Sequence, residues 1–98
     1  MPSTRTYLIT GATNGIGKAA AQAIAAQGGR VVIVGRNAAK TEAVADELRQ
    51  ASGNPQIDFL LADLSSMSEV RRLAGEFNAR YGRLDVLINN AGAFFLRR

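Results

Sequence analysis

The 98-residue sequence has no cysteine, no histidine and no tryptophan. Without cysteine there is no disulfide scaffold, no thiolate metal site and no cysteine nucleophile. Without histidine the commonest general base and the commonest metal ligand are both missing, and no metal site is expected. Long apolar runs are missing too: charges or glycines interrupt every stretch, so no membrane span is expected. Met1 to Arg5 leads straight into a strand-like segment, leaving no room for the apolar core of a signal peptide, and the expected location is cytoplasmic. Basic clusters are absent as well. Net charge is +4, from ten arginines and two lysines against eight acids, yet no basic run exceeds two residues, Arg97-Arg98 being one of them. Nucleic-acid binding calls for clustered cations interleaved with aromatics, and aromatics make up only 6% of the chain, so none is expected. What remains is an ordinary globular composition, 47% hydrophobic and 20% charged, of a length that fits one small domain at most.

Short β-branched runs alternate with helical patterns. Thr6-Tyr7-Leu8-Ile9-Thr10 is an apolar run ended by Gly11. Residues 16–27 are alanine-rich and helical, with Ile16, Ala20, Ala23, Ile24 and Gln27 on one stripe, and Gly28-Gly29 stops them. Val31-Val32-Ile33-Val34 reads as a strand buried on both faces. Asn37 is a good N-cap for a helix whose stripe is Thr41, Val44, Ala45 and Leu48. Gly53-Asn54-Pro55 is a turn, and residues 57–62 form a third strand. Ser66-Met67-Ser68-Glu69 has the spacing of a capping box, ahead of a helix with Val70, Leu73, Ala74, Phe77 and Tyr81 on one face. Gly82 closes it, and residues 84–88 are a fourth strand. The order βαβαβαβ predicts right-handed crossovers and a parallel sheet, an α/β doubly wound fold or the front of one.

Between the first strand and the first helix lies Thr10-Gly11-Ala12-Thr13-Asn14-Gly15-Ile16-Gly17. Gly11 permits a sharp exit from the strand, Gly15 lets a pyrophosphate reach the backbone, and Gly17 lets the helix pack closely on the sheet. Phosphates then sit at the helix N-terminus, where free N–H groups and the macrodipole favour negative charge. Thr13 and Asn14 add side-chain hydrogen bonds. A P-loop is excluded, although Gly17-Lys18 looks like its ending. Residue 12 is alanine where its first glycine belongs, and residue 19 is alanine where Ser or Thr must hold magnesium.

Thr10-Gly11, Gly15-Ile16-Gly17 and the later Asn89-Asn90-Ala91-Gly92 together resemble the short-chain dehydrogenase/reductase family, over essentially the whole chain. The flavour of residues 84–96 is similar to its retinol-dehydrogenase-like branch. The resemblance implies a Rossmann-type sheet of strand order 3-2-1-4, with residues 1–98 forming a single, incomplete NADP-binding domain. At the end of the second strand, where an NAD site usually carries an acid, stands Gly35-Arg36-Asn37. A guanidinium binds a 2′-phosphate that an acid would repel, so Arg36 points to NADP(H). The resemblance further implies that Asp63 binds the adenine amino group, that Leu64 contacts the ring, and that Asn90, Ala91 and Gly92 line the cofactor near its ribose. The other reading of Asp63 is a cap for the turn that follows it, but its place among the strand C-termini, where ligands bind, favours the adenine contact. Asn89 and Asn90 are expected as buried amides tying neighbouring loops together.

The family's chemistry uses a Tyr-x-x-x-Lys pair, a serine before it, and an asparagine on the helix after the fourth strand. No Tyr-x-x-x-Lys pair occurs here: Tyr7 is followed four residues on by Gly11, and Tyr81 by Asp85. No catalytic residue is therefore assigned. Two functions stay open: an NADP(H)-dependent oxidoreductase of alcohols, ketones or aldehydes represented by its cofactor-binding half, or a non-catalytic or vestigial nucleotide-binding fragment. Either way, Ile9, Val86 and Ile88 are expected to lie partly bare, so that the fourth strand invites self-association.

Overall fold

The computed structural model describes residues 5–13 and 15–90. Its elements are β1 (Thr6–Thr10), α1 (Gly15–Ala26), β2 (Arg30–Gly35), α2 (Ala38–Ser52), β3 (Ile57–Leu61), α3 (Met67–Tyr81) and β4 (Val86–Asn89). The four strands form one parallel sheet in the order β3-β2-β1-β4, as the alternation and the resemblance imply. The last strand starts and ends later than its apolar pattern suggests. Asp85 spends its own groups on β1: its amide donates to the Thr6 carbonyl (3.0 Å), and its Oδ2 accepts from the Thr6 amide (2.8 Å).

Strand periodicity divides the core in two. Ile9, Val31, Ile33 and Ile57 face α1 and α2, packing against Ala21, Ala25, Val44, Ala45 and Leu48. Leu8, Val32, Val34 and Leu60 face the other way, onto Leu73 and Phe77 of α3. The third crossover thus delivers its helix to the opposite face, as a right-handed return past β1 requires.

Several sequence expectations need correction. The inward face of α1 is Gly17, Ala21 and Ala25, while Ile16 is 80% exposed and Ala23 and Gln27 also face solvent. Apolarity alone misplaced the stripe, because this helix sits close to the sheet through its smallest residues. Of the expected group only Ile24 packs against the core. Ile9 is fully buried beneath α1 and not bare. Val86 and Ile88 are half-buried, as expected, while among the described residues the most exposed apolar side chains near β4 are Leu84 and Leu87; Leu87 is the register partner of Leu8 on the α3 side. The α2 stripe agrees residue for residue with its buried face.

The turn at residues 53–55 does more than reverse the chain. Buried Asn54 donates to the carbonyls of Ala25 (3.0 Å) and Gly29 (2.8 Å), while its Oδ1 accepts from Gln56 (2.9 Å). It thereby ties the turn after α2 to the end of α1 and to the loop that follows it. Among the described residues no helix is long and apolar enough to cross a membrane.

Candidate functional site

All four strands point the same way, so their C-terminal ends share one edge of the sheet. That edge collects Thr10 and Gly11 from β1, Arg36 after β2, Asp63 after β3, and Asn89 and Asn90 from β4. In a doubly wound sheet a ligand crevice opens where connections leave in opposite directions, here between β1 and β4.

The glycine loop has the shape its sequence suggests. Gly11 and Gly15 hold positive φ, +66° and +61°, a region side chains rarely enter. Among the described residues, none beyond its own neighbours comes within 4 Å of a Cβ built on Gly15, so this backbone borders open space at the N-terminus of α1. Gly17 is the opposite case: a Cβ there would lie 2.3 Å from the Gly11 carbonyl oxygen and 2.7 Å from Asn90 Nδ2. It is the point where helix, strand exit and the β4 loop close on one another. The first turn of α1 carries no acid, leaving its positive end uncompensated. Thr13 is half-buried beside this space. Lys18 pairs with Glu47 of α2 at 2.8 Å, a tie between helices, which accounts for the lysine that mimics a P-loop ending.

Thr10 is a residue that sequence reasoning did not single out, although it opens the motif. Its buried hydroxyl donates to Asn89 Oδ1 (3.0 Å) and accepts from the Asn90 amide (2.9 Å). One side chain therefore joins β1 to the exit of β4. The two asparagines do tie loops together, with Asn90 Nδ2 also at 3.5 Å from the Gly11 carbonyl, but both are exposed and not buried as expected. They stand at the sheet edge, which leaves their amides beside the crevice.

Asp63 follows the residue at which the β3 ladder ends. Its Oδ1 accepts from the Ser65 hydroxyl (2.7 Å) and amide (3.1 Å), which is the turn-capping role its position suggests. The Ser65 hydroxyl, then the Ser65 amide, hold its carboxyl below the ordinary value of 3.8, against a small cost of desolvation, with the positive charge of Arg36 helping. Arg36 itself is exposed, within electrostatic reach of Asp63 on the same edge. Leu64 is partly buried against the α3-side core. Ser66 caps α3 by accepting from the Glu69 amide (3.4 Å), but the expected box is only half closed. The Glu69 carboxylate turns to the Asp63 amide (3.3 Å). Asn14, Ala91 and Gly92 lie outside the described residues. Among the described residues no cluster of His, Cys, Asp and Glu able to hold a metal ion is present.

The family model for short chain dehydrogenases matches residues 5–97, nearly the whole chain. The chain belongs to the short-chain dehydrogenase family. Human dehydrogenase/reductase SDR family member 13 is 47% identical over 88 residues, which are 90% of this chain and 23% of that protein. Human retinol dehydrogenase 11 is 41% identical over 88 residues, 90% of this chain and 28% of that one, in keeping with the resemblance of residues 84–96. Among solved structures, an actinorhodin polyketide ketoreductase with NADPH superposes with a TM-score of 0.83 at 36% identity, covering 94% of this chain and 35% of that one. The chain spans a third or less of the length of the first curated relatives it matches. In this member of the family, then, Thr10, Gly11, Gly15, Gly17, Arg36, Asp63 and Asn90 gather at one edge of the sheet.

Proposed function

We propose that residues 1–98 are one NADP-binding unit of an oxidoreductase that interconverts alcohols and carbonyl compounds. The open space over Gly15, at the N-terminus of α1, carries the reading. A Cβ there would enter space that no described residue beyond its own neighbours comes within 4 Å of, directly in front of the first turn of the helix. Backbone N–H groups at such an end, reinforced by the macrodipole, suit a pyrophosphate. Gly11, Thr13, Asn14, Gly15, Ile16 and Gly17 would hold it there. The exposed side chain of Ile16 gains an apolar partner when the crevice is filled.

Arg36 would take the 2′-phosphate of NADP(H). No acid stands at the end of β2 to oppose it, and a guanidinium matches a phosphate with two parallel hydrogen bonds. Asp63 would accept from the adenine amino group, with Leu64 against the ring, and Asn90, Ala91 and Gly92 would line the ribose side. When bound, the nicotinamide supplies hydride transfer; these residues bind and orient it. The NADPH in the actinorhodin ketoreductase structure supports the choice of cofactor, and the names of that enzyme and of retinol dehydrogenase support alcohol or carbonyl chemistry. The substrate in a complete form is a small alcohol, ketone or aldehyde.

Arg36→Asp tests the cofactor choice. The variant is expected to lose NADPH affinity and to gain relative affinity for NADH, changing the ratio by about 1–3 kcal/mol. An unchanged ratio would remove Arg36 from the site.

A further inference from the structure

The turn carrying Asp63 and Leu64 is held from behind by two side chains of α3. The β3 ladder ends where the Ala62 amide donates to the Gly35 carbonyl at 3.0 Å. On either side of that residue α3 takes over. Arg72 Nη2 donates to the Leu61 carbonyl at 2.6 Å, and the Asp63 amide donates to Glu69 Oε1 at 3.3 Å. The two side chains are themselves joined, Nη2 to Oε1 at 3.0 Å and Nε to Oε2 at 3.2 Å, a two-pronged pairing. Arg72 Nη1 also donates to Glu76 Oε1 at 3.0 Å, which bars the guanidinium from swinging away. The spacing of residues 69, 72 and 76 sets all three on one helix face.

None of this is needed to build α3. Its N-cap is Ser66 and its core contacts are Leu73 and Phe77. A glutamate at this spacing ordinarily reaches back to the N-cap amide. Here the Ser66 amide donates to the Asp63 carbonyl (3.1 Å), and the Glu69 carboxylate goes to Asp63 instead. Exposed ion pairs contribute little to stability, and these side chains are a third to a half exposed. What the arrangement does supply is geometry, since both ends of a three-residue backbone segment are fixed to one rigid helix.

We propose that Arg72 and Glu69 are positioning residues that set the base specificity of the cofactor site, by holding Asp63 where its carboxylate meets the 6-amino group of adenine. This rests on the reading of Asp63 given above. The test is a binding titration of the chain and its variants with NADPH and with the hypoxanthine analogue, in which an oxo group replaces that amino group. Arg72→Ala and Glu69→Ala are each expected to weaken NADPH binding by about three- to tenfold and to leave the analogue's affinity nearly unchanged, so that discrimination between the bases shrinks. Glu69→Gln keeps an acceptor at the same place and is expected to retain most of the discrimination.

Asp63→Ala separates the two claims. If it removes discrimination and the α3 variants do not, the positioning role is overturned and the adenine contact stands. If Asp63→Ala leaves discrimination intact, the adenine contact falls and the positioning role with it. Equal loss for both nucleotides in the α3 variants would mean general loosening, and would also overturn the proposal. Should Arg72→Ala fail to fold, the Glu69 pair decides alone.

Discussion

Two glycines two positions apart do different work at the mouth of the site. At Gly17 a methyl group collides with the Gly11 carbonyl, so alanine must push α1 off the strand exit; a loss of about 1–3 kcal/mol in folding stability is expected. At Gly15 the space is open and only the positive φ opposes a side chain, at a cost of about 1–2 kcal/mol. Stability alone hardly separates them. Nucleotide binding does: Gly15→Ala places its methyl group in the proposed phosphate cradle, so it should abolish NADPH binding even in the fraction that stays folded. Thermal melts beside binding titrations check this, and a folded Gly15→Ala protein with normal NADPH affinity would contradict it. Both glycines were legible from their spacing between strand and helix. Thr10 was not, because its role depends on a hydroxyl reaching residues 79 and 80 positions away, a separation that no local pattern encodes.

Helix α3 shows how far an element can be read from its pattern. The 3.6-residue period locates it, Ser66 and Gly82 bound it, and Leu73 and Phe77 face the core as expected, while Ala74 of the expected face is exposed. The period says nothing about the polar ties at its two ends. At the C-terminal end the Tyr81 hydroxyl donates to the Asp58 carboxylate of β3, and the Arg30 guanidinium lies 5.5 Å from the centre of its ring. Burial first, then the hydrogen bond to Asp58 and its charge, push the Tyr81 phenol up to about 12. A phenol raised in the folded state adds stability that is fully present below its ordinary value near 10 and disappears as pH rises through about 12. An alkaline titration followed by phenolate absorbance should therefore show Tyr81 ionising late, and Asp58→Asn should bring it part of the way back. Ionisation of Tyr81 near the ordinary phenol value would show the tie to be absent in solution. In α1 the same kind of period points to the wrong face. Alanine and glycine form the inward face, and the apolar Ile16 stands outside.

At the scale of the whole molecule, strand order and the division of helices between two faces followed from connection rules and needed no side-chain detail. Coverage of the sheet did not. It depends on how close each helix packs, which is why Ile9 is sealed while Leu87 is 40% exposed. Among the described residues β4 pairs with β1 alone, and Leu84 and Leu87 present apolar surface near it. A parallel strand of this kind is a template for association. We expect the 98-residue chain to self-associate through it and Leu87→Lys to weaken that association. Light scattering measures this, and a monodisperse monomer that binds no hydrophobic dye would contradict it. The central claim, a sheet edge built for a 2′-phosphorylated dinucleotide, is tested most directly by titrating NADPH and NADH into the purified chain. NADPH is expected to bind at least about tenfold more tightly, the margin of one charged hydrogen-bonding contact. NADH binding equally well or better, or no binding of either nucleotide, would contradict it.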